Sequence, residues 1–413
     1  MANFFSQETF RQAYPDRPLP MLSYGLRFPE ACARHVDRLG CTKTYILSSK
    51  SLATKTDALK RLQQSLEGKL VGTFVGISSH TPLIEVLKVI EDVRNLGGVD
   101  CLITLGGGSV TDAAKVVRFA LANSAYTADE VDTLWGGHSH NPRQRDVLNP
   151  PTIPLIHIPT SLSGGEYQHI AGVTDERTHA KRTYEPHVDP TLVIQDPELC
   201  LHTPAWLWLS SGIRAVDHCV ETLCSLQSNE KGDSEAKKGL VKLVPGLLKC
   251  KHNPTDLDAR HLCQLGVVEA MAAVSSGVPL GASHAIGHQL GPLGVGHGET
   301  SCILLPAVCK YNASKGANND RQEICKKVLL EDETVQSTLK ARNVSNPDLG
   351  DILDAVIREL EMPRSLKDVN VGRDKLDVLA TNSLHDLWIK TNAVPITEKS
   401  QVMEILEIAV GDQ

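Results

Sequence analysis

Residues 101–115 read CLITLGGGSVTDAAK, and this stretch shows how the first half of the chain folds. Residues 101–105 are a short apolar run that predicts a buried strand, and residues 106–108 are three glycines that turn the chain. We expect a helix from Ser109, a good N-cap residue with Asp112 three positions later. Free N–H groups at a helix start and the small size of glycine suit a pyrophosphate. A plain strand–helix turn without a ligand is the alternative.

The same alternation of strands and helices continues on both sides of this stretch. Three further apolar runs predict strands at residues 43–48, 71–77 and 153–158. Helix-period segments lie between them at residues 54–68 and 82–95. Residues 136–142, rich in Gly, Asn and Pro, predict a surface loop. This pattern predicts a Rossmann-like α/β domain with a parallel sheet, which we assign to residues 1–197.

Strand signals nearly vanish after residue 197. Helix-period stretches take their place at residues 204–226, 234–249, 255–276, 351–361 and 375–390. We therefore predict a second, all-α domain over residues 198–413.

Composition limits the kinds of partner. The chain has 413 residues, of which 41% are hydrophobic, and a formal net charge of −7. An acidic surface repels phosphate backbones, so we expect no nucleic-acid partner. The 11 cysteines include no CxxC pair, which favours reduced thiols. Because no apolar run is long enough to span a bilayer and no signal core opens the chain, we expect a cytoplasmic protein without a membrane partner. We also expect a homodimer that acts on a small-molecule substrate.

Two more segments carry groups suited to chemistry. Residues 159–166, PTSLSGGE, follow a predicted strand, where small hydroxyl residues often line a cofactor crevice, although such segments are also common as plain loops. His284 and His288 lie four residues apart on a predicted helix, so they share a face, and His297 follows a glycine-rich turn. With His218 they form a set that can bind a divalent metal or relay protons.

These segments, in this order, resemble the iron-type alcohol dehydrogenase superfamily over roughly residues 40–313. The resemblance implies an N-terminal dinucleotide domain, a helical C-terminal domain, a cleft between them, and NAD(P)H as cofactor. Ser49 stands where many members carry an acidic residue that binds the adenosine ribose, so NADPH use is compatible with this chain. The residues assigned to the dinucleotide are Ser49, Gly107, Gly108, Ser109, Asp112, Thr160, Ser161, Ser163 and Lys181.

One position departs from the family pattern. Metal-dependent members carry Asp-x-x-x-His, and here Arg214 stands in place of the aspartate ahead of His218. A guanidinium cannot ligate a metal. Asp217 lies about 100° around the helix from His218, which makes it a poor substitute. If a divalent Fe or Zn ion is bound, the resemblance leaves His218, His284 and His297 as its ligands. The maleylacetate reductase branch also lacks the aspartate, and its HAET motif is close to His297-Gly-Glu-Thr here.

We therefore expect an NAD(P)H-dependent oxidoreductase of a small carbonyl or unsaturated keto acid, similar to maleylacetate reductase. Arg214 would hold a substrate carboxylate or polarise its oxygen, His288 would relay the proton, and His218 would lie beside them. An ion pair of Arg214 with Asp217 or Glu221 is the structural alternative. The alternative functions are a metal-dependent alcohol dehydrogenase, a dehydroquinate-synthase-like enzyme and a dinucleotide-binding protein without catalysis.

Overall fold

A computed structural model describes residues 4–135, 148–178 and 180–411. The chain separates into two compact units, Met1–Thr203 and Pro204–Gln413. Their boundary lies six residues beyond the position, 197, that the change in sequence pattern suggested. The loop expected at residues 136–142 lies outside the described residues.

The first unit is built on a seven-stranded sheet in the order β1-β2-β9-β6-β5-β3-β4. β1 is antiparallel to β2, and every other neighbouring pair is parallel. β7 and β8 form a separate antiparallel hairpin. The strands are β1 (Thr9–Gln12), β2 (Met21–Tyr24), β3 (Thr44–Ser48), β4 (Leu70–Val75), β5 (Cys101–Gly106), β6 (Leu155–Pro159), β7 (Ala171–Asp175), β8 (Ala180–Tyr184) and β9 (Leu192–Ile194). The predicted parallel, Rossmann-like sheet is confirmed.

Helices cover both faces of this sheet, which is why its central strands are apolar throughout. Alternate residues of β3 point to opposite sides: Tyr45 and Leu47 pack in one core with α4 and α5, and Ile46 packs in the other with α1 and α3. The helices of the first unit are α1 (Phe28–Arg38), α2 (Lys50–Lys55), α3 (Ala58–Ser65), α4 (Leu83–Leu96), α5 (Gly108–Ala122) and α6 (Ala128–Asp132).

Two helices of this unit begin or break at other places than expected. α5 begins at Gly108 with Gly107 as its N-cap residue, so the expectation that Ser109 caps the helix is wrong. The helix begins one residue earlier than expected because glycine, which has no Cβ, is tolerated at the N-cap and in the first turn. The single helix expected at residues 54–68 is two helices, because Thr56 has an extended backbone, φ −139°, between them.

The second unit is helical throughout its described part, as predicted. Its helices are α7 (Ala205–Cys224), α8 (Glu230–His252), α9 (Leu257–Val274), α10 (Ala282–Leu290), α11 (His297–Ser314), α12 (Asn319–Leu330), α13 (Glu333–Ala341), α14 (Leu349–Glu359), α15 (Leu376–Ser383) and α16 (Lys399–Ala409). The helix expected at residues 375–390 ends at Ser383. None of the described helices has the length and apolar character needed to cross a membrane.

Candidate functional site

Several residues that the resemblance assigns to the dinucleotide lie at the carboxyl edge of the sheet. β3, β5 and β6 are neighbours, and Gly106 of β5 is in register with Pro159 of β6. The backbone N–H of Ser49, just after β3, donates to the carbonyl of Leu105 at 2.9 Å. The carboxyl ends of neighbouring parallel strands form the crevice that ligands use in such sheets. The sheet order thus brings three segments that are distant in sequence to one edge.

An open cradle lies between the start of α5 and the segment after β6. A methyl group on Gly107 would come within 3.5 Å of Ser161 Oγ, and one on Gly108 within 3.4 Å of Ser163 Oγ. The two serine hydroxyls are 3.0 Å apart. The start of α5 and the two hydroxyl groups therefore lie close together, and the glycines add no side chain between them. This arrangement fits a pyrophosphate.

Other residues assigned to the dinucleotide are engaged within the protein. Thr160 is buried; its N–H donates to Gly106, and its carbonyl accepts from Thr203 Oγ1 at 2.6 Å. The Ser109 carbonyl accepts from Thr81 Oγ1 at 3.3 Å. Asp112 Oδ2 accepts from the Gly172 N–H at 3.0 Å. Lys181 of β8 packs against Gly172, where its Cε would lie 2.9 Å from an added Cβ. Asp112 thus holds the β7–β8 hairpin to α5, and Lys181 lies beside that contact.

Lys115 of α5 is a fully buried cation that connects α5 to the segment between β6 and β7. Its Nζ donates to the carbonyls of Gly165 and Ile170 and lies 3.5 Å from Asp112 Oδ1. Burial lowers the pKa of Lys115, and Asp112 and Glu166 partly oppose this. Burial also raises the pKa of Glu166, to about 7. Lys115 therefore ties the segment after Ser163 to the helix that carries Gly108.

In the helical unit, Arg214 of α7 has one hydrogen bond among the described residues. Its Nη1 donates to Ser301 Oγ at 3.3 Å, and no described carboxylate comes within ion-pair distance of it. The ion pair considered from the sequence is therefore not formed. Burial lowers the pKa of this guanidinium, and the nearby Asp217, Glu221 and Asp386 carboxylates oppose the shift. Most of its five N–H donors remain available to a ligand.

Asp217 and Glu221 are instead held from α10 and α11. Asp217 Oδ2 accepts from Ser283 Oγ at 2.8 Å and from Ser301 Oγ at 2.6 Å. Glu221 accepts the N–H groups of Gly281 and Ser283 at 2.9 and 2.8 Å. Both pKa values are raised, by burial first in each case, and that of Glu221 also by the negative charge of Asp217. These hydrogen bonds fasten the start of α10 to α7.

His218 and His284 lie against each other, with ring centroids 4.8 Å apart and planes at 25°. His284 Nδ1 is 2.8 Å from Glu221 Oε2. Burial lowers the pKa of His218 to about 3, and burial also lowers that of His284 well below its usual range; Arg214 adds to both shifts. Both imidazoles are therefore neutral at neutral pH. His284 Nε2 and His218 Nδ1 are buried and have no hydrogen-bond partner among the described residues.

His288, four residues further along α10, has a carboxylate partner of its own. Its Nδ1 is 2.9 Å from Asp386 Oδ2. The indole of Trp388 contacts both helix histidines: its centroid is 5.3 Å from that of His288, and 5.8 Å from that of His284, which it meets edge to face at 83°. His297, the first residue of α11, belongs to the same cluster, since its charge and that of His288 both influence the pKa of His284.

The donor atoms here do not fit a divalent metal in the position that the family pattern implies. Asp217, Glu221 and His284 do place donor atoms within 4.8 Å of one another. Both oxygens of Glu221 and the Nδ1 of His284 already share hydrogen bonds, and Asp217 Oδ1 is the one carboxylate oxygen of this group without a hydrogen-bond partner among the described residues. The remaining imidazoles would have to hold an ion beside the Arg214 cation, which repels it.

Comparisons with known proteins agree with this architecture. The chain matches the family models for iron-containing alcohol dehydrogenase over residues 24–197 and for the Fe-containing alcohol dehydrogenase family, C-terminal, over residues 208–410. The chain belongs to the iron-containing alcohol dehydrogenase family. It is an oxidoreductase that uses a nicotinamide dinucleotide, as the sequence predicted.

Three relatives show where it stands within the family. Dehydrogenase FUM7 of Gibberella moniliformis is 37% identical, over 97% of this chain and 98% of the relative. Maleylacetate reductase of Burkholderia cepacia is 28% identical, over 95% and 96%. The crystal structure of maleylacetate reductase from Agrobacterium tumefaciens has a TM-score of 0.68 and 26% identity, over 92% and 93%. The predicted proximity to the maleylacetate reductase branch is confirmed.

Four residues of this site were not found from the sequence. Ser283 precedes His284 and Ser301 is four residues after His297, so their positions beside the histidine motifs could have marked them as site residues. Asp386 and Trp388 lie about one hundred residues after His288 in a stretch that we had expected to be helical. Only the fold brings them to α10, because a turn after Ser383 replaces the expected helix.

Proposed function

We propose that this protein is an NAD(P)H-dependent reductase of a small carbonyl or unsaturated keto acid, similar to maleylacetate reductase, and that it works without a metal at this site. The observation that carries the proposal is the Arg214 guanidinium, which has no carboxylate partner among the described residues and lies in the cluster of His218 and His284. We further propose that the enzyme is cytoplasmic and forms a homodimer. Light scattering of the purified protein would test the oligomeric state.

The unused hydrogen-bond donors of Arg214 favour an anionic ligand. A largely buried cation is costly unless a negative group is near. Asp217, Glu221 and Asp386 are near enough to influence its pKa, yet none of them lies within ion-pair distance of the guanidinium. Asp217 Oδ2 accepts from serines, Glu221 accepts from backbone N–H groups, and Asp386 Oδ2 faces His288. An arginine forms a bidentate pair with a carboxylate, and that geometry remains available here. A keto-acid substrate would supply this carboxylate or a developing oxyanion.

Reduction of a carbonyl needs a hydride, a stabilised oxygen and a proton. The dinucleotide supplies the hydride when it is bound, and Gly107, Gly108, Ser161 and Ser163 are the residues that would hold its pyrophosphate. Arg214 would stabilise negative charge as it develops on the substrate oxygen, or would hold the substrate by its carboxylate. His288 would deliver the proton, and the neutral ring of His218 would line the site beside it.

The preference between NADH and NADPH rests on Ser49. Its side chain is near the turn after β5, since an added Cβ on Gly106 would lie 3.0 Å from Ser49 Cβ. A serine there does not repel a 2′-phosphate, as an acidic residue would. We therefore propose that the enzyme accepts NADPH.

A metal-dependent alcohol dehydrogenase is the second candidate. It is favoured by one observation: His284 Nε2, His218 Nδ1 and Asp217 Oδ1 are buried atoms without a hydrogen-bond partner among the described residues. Neutral imidazole nitrogens of this kind are good metal ligands. The Arg214 cation in the same cluster is the reason that we place this candidate second.

A matched pair of substrates tests the role of Arg214. Keto acids, maleylacetate among them, would be assayed beside their methyl esters with wild-type enzyme, Arg214→Ala and Arg214→Lys. We expect Arg214→Ala to lower kcat/KM for the acids about 100-fold, the value of a charged bidentate contact, and to change the esters much less. Arg373→Ala is the matched control, because Arg373 is half exposed and pairs with Glu407. Equal losses for acids and esters, or no loss, would contradict the carboxylate assignment.

A further inference from the structure

We infer that Asp386 is a positioning residue that fixes His288 in the tautomer and orientation needed for proton transfer to the substrate oxygen. The inference rests on the proposed function, because it gives His288 the proton-transfer role. Asp386 lies outside the sequence motifs that point to that function.

The carboxylate of Asp386 is itself held in place. Its Oδ1 accepts from the backbone N–H of Trp388 at 3.0 Å. Its own backbone N–H donates to the Ser383 carbonyl at 3.1 Å, closing the turn after α15. With one oxygen fastened to the backbone, the other is directed at His288 Nδ1, 2.9 Å away. The side chain of Asp386 is 12% exposed, so water competes little for this contact.

This contact decides which nitrogen of His288 carries hydrogen. An ionised carboxylate only accepts hydrogen bonds, so Nδ1 of His288 must be the donor. Nε2 is then the nitrogen that exchanges a proton with a ligand. Trp388, whose ring lies 5.3 Å from that of His288 and at 38° to it, limits rotation of the imidazole. Asp386 and Trp388 together fix the tautomer and the direction in which Nε2 points.

His284 has a similar carboxylate partner in Glu221, but it is less suited to exchanging protons. The side chain of His284 is 1% exposed, and that of His288 is 28% exposed. A proton donor must be reprotonated from solvent after each turnover, and of these two histidines His288 is the one with an exposed side-chain surface. The two histidine–carboxylate pairs therefore differ in role. The buried pair of His284 and Glu221 holds the helices together, and the partly exposed pair of His288 and Asp386 is suited to proton exchange.

The reduction adds a hydride to the carbonyl carbon and breaks the C=O π bond, whose electron pair moves to oxygen. That oxygen takes the proton from Nε2 of protonated His288, and the imidazole becomes neutral with its Nδ1–H still donating to Asp386. Water then reprotonates Nε2. Asp386 stabilises the imidazolium and exchanges no proton, the part that a carboxylate plays beside a catalytic histidine elsewhere.

Substitution by asparagine separates positioning from packing. An asparagine at 386 has one acceptor oxygen for two donors, the Trp388 N–H and His288 Nδ1–H, so one contact fails or His288 changes tautomer. We expect Asp386→Asn to lower kcat about 10–100-fold, the range for second-layer partners of functional histidines, with little change in KM for NAD(P)H. Asp386→Glu, which keeps the carboxylate, should recover part of the loss. Asp377→Asn, an exposed aspartate that pairs with Lys399 on the same part of the chain, is the matched control.

NMR spectroscopy tests the tautomer of His288 directly and needs no substrate. The ¹⁵N shifts of His288, assigned by comparison with His288→Gln, report which ring nitrogen is protonated. We expect the Nδ1–H form in wild-type enzyme and in Asp386→Glu, and its loss in Asp386→Asn. An Nε2–H form in wild-type enzyme, or an unchanged kcat in Asp386→Asn, would overturn the inference. If no keto acid is reduced, the proposed function fails while the ¹⁵N result still decides whether Asp386 sets the tautomer.

Discussion

Arg214 and Asp217 lie on the same helix and are joined through one hydroxyl group. Ser301 Oγ is 3.3 Å from Arg214 Nη1 and 2.6 Å from Asp217 Oδ2, so it accepts from the guanidinium and donates to the carboxylate. A direct ion pair would satisfy both charges and leave Arg214 inert. The bridge keeps the guanidinium near a counter-charge while its other donors stay available, which is what a substrate-binding cation needs.

This bridge gives the first prediction. Ser301→Ala removes the hydrogen bond that orients Arg214, so we expect KM for a keto acid to rise about fivefold, the value of one hydrogen bond of roughly 1 kcal/mol. Steady-state kinetics on acid and methyl ester would measure it. Ser314→Ala on the same helix is the control, because among the described residues that hydroxyl donates to the Tyr311 carbonyl of its own helix. A KM that rises equally for the ester would count against the bridge.

The second prediction concerns cofactor choice. Ser49→Asp places a carboxylate where it repels a 2′-phosphate and can accept a bond from a ribose hydroxyl. We expect the ratio of kcat/KM for NADPH to that for NADH to fall by about 10–100-fold, or roughly 1–3 kcal/mol. Ser51→Asp, two residues further on, is the comparison for a general charge effect. An unchanged ratio in Ser49→Asp would remove Ser49 from the cofactor site.

Lys115 provides a third prediction, about stability. Lys115→Met leaves the carbonyls of Gly165 and Ile170 and the Asp112 carboxylate without their shared donor. We expect the free energy of unfolding to fall by about 2–3 kcal/mol and NADPH to bind more weakly, because the segment with Ser161 and Ser163 loosens. Urea unfolding and NADPH fluorescence titration would measure the two effects. Lys88→Met, at an exposed position of α4, should change neither.

The fourth prediction is a pH dependence of stability. His157 on β6 is fully buried, with Nδ1 2.6 Å from Thr104 Oγ1, and burial lowers its pKa well below the usual range. The unfolded chain therefore binds a proton below about pH 6.5 that the folded chain does not. Stability should rise with pH across this window and fall as the solution is acidified, by up to about 1.4 kcal/mol per pH unit for one histidine.

Substitution of His157 distinguishes its contribution to the pH dependence of stability from that of the other histidines. His157→Asn should reduce the acid slope of the unfolding free energy between pH 7 and 5. The side chain of His252 is 60% exposed, so His252→Asn should leave the slope unchanged. Equal slopes in wild-type protein and His157→Asn would show that His157 does not contribute.

The fold was largely predictable because it rests on local patterns. The apolar runs at residues 43–48 and 101–105 correspond to β3 and β5, since strands buried on both faces are recognisable from composition alone. β7 and β8 were missed because the hairpin sequence, AGVTD and AKRTY, is polar and short. The start of α5 was misplaced by one residue because glycine carries no capping signal in its side chain.

The candidate site was predictable only in part, and the reason is distance along the chain. His218, His284, His288 and His297 stood out through spacing and neighbouring glycines. Asp386 had no such signal, because its significance depends on a turn that brings it 2.9 Å from His288. Arg214 was noticed as a departure, but only the structure distinguishes an ion pair with Asp217 from a bridge through Ser301.

The most direct test of the central claim, reduction without a metal beside Arg214, is the metal content of the purified enzyme combined with its NAD(P)H-dependent activity before and after EDTA. We predict far less than one equivalent of iron or zinc and an activity on keto acids that survives EDTA. One equivalent of metal per chain, with activity lost to EDTA and restored by the ion, would contradict the account and would assign His218, His284 and His297 as metal ligands instead.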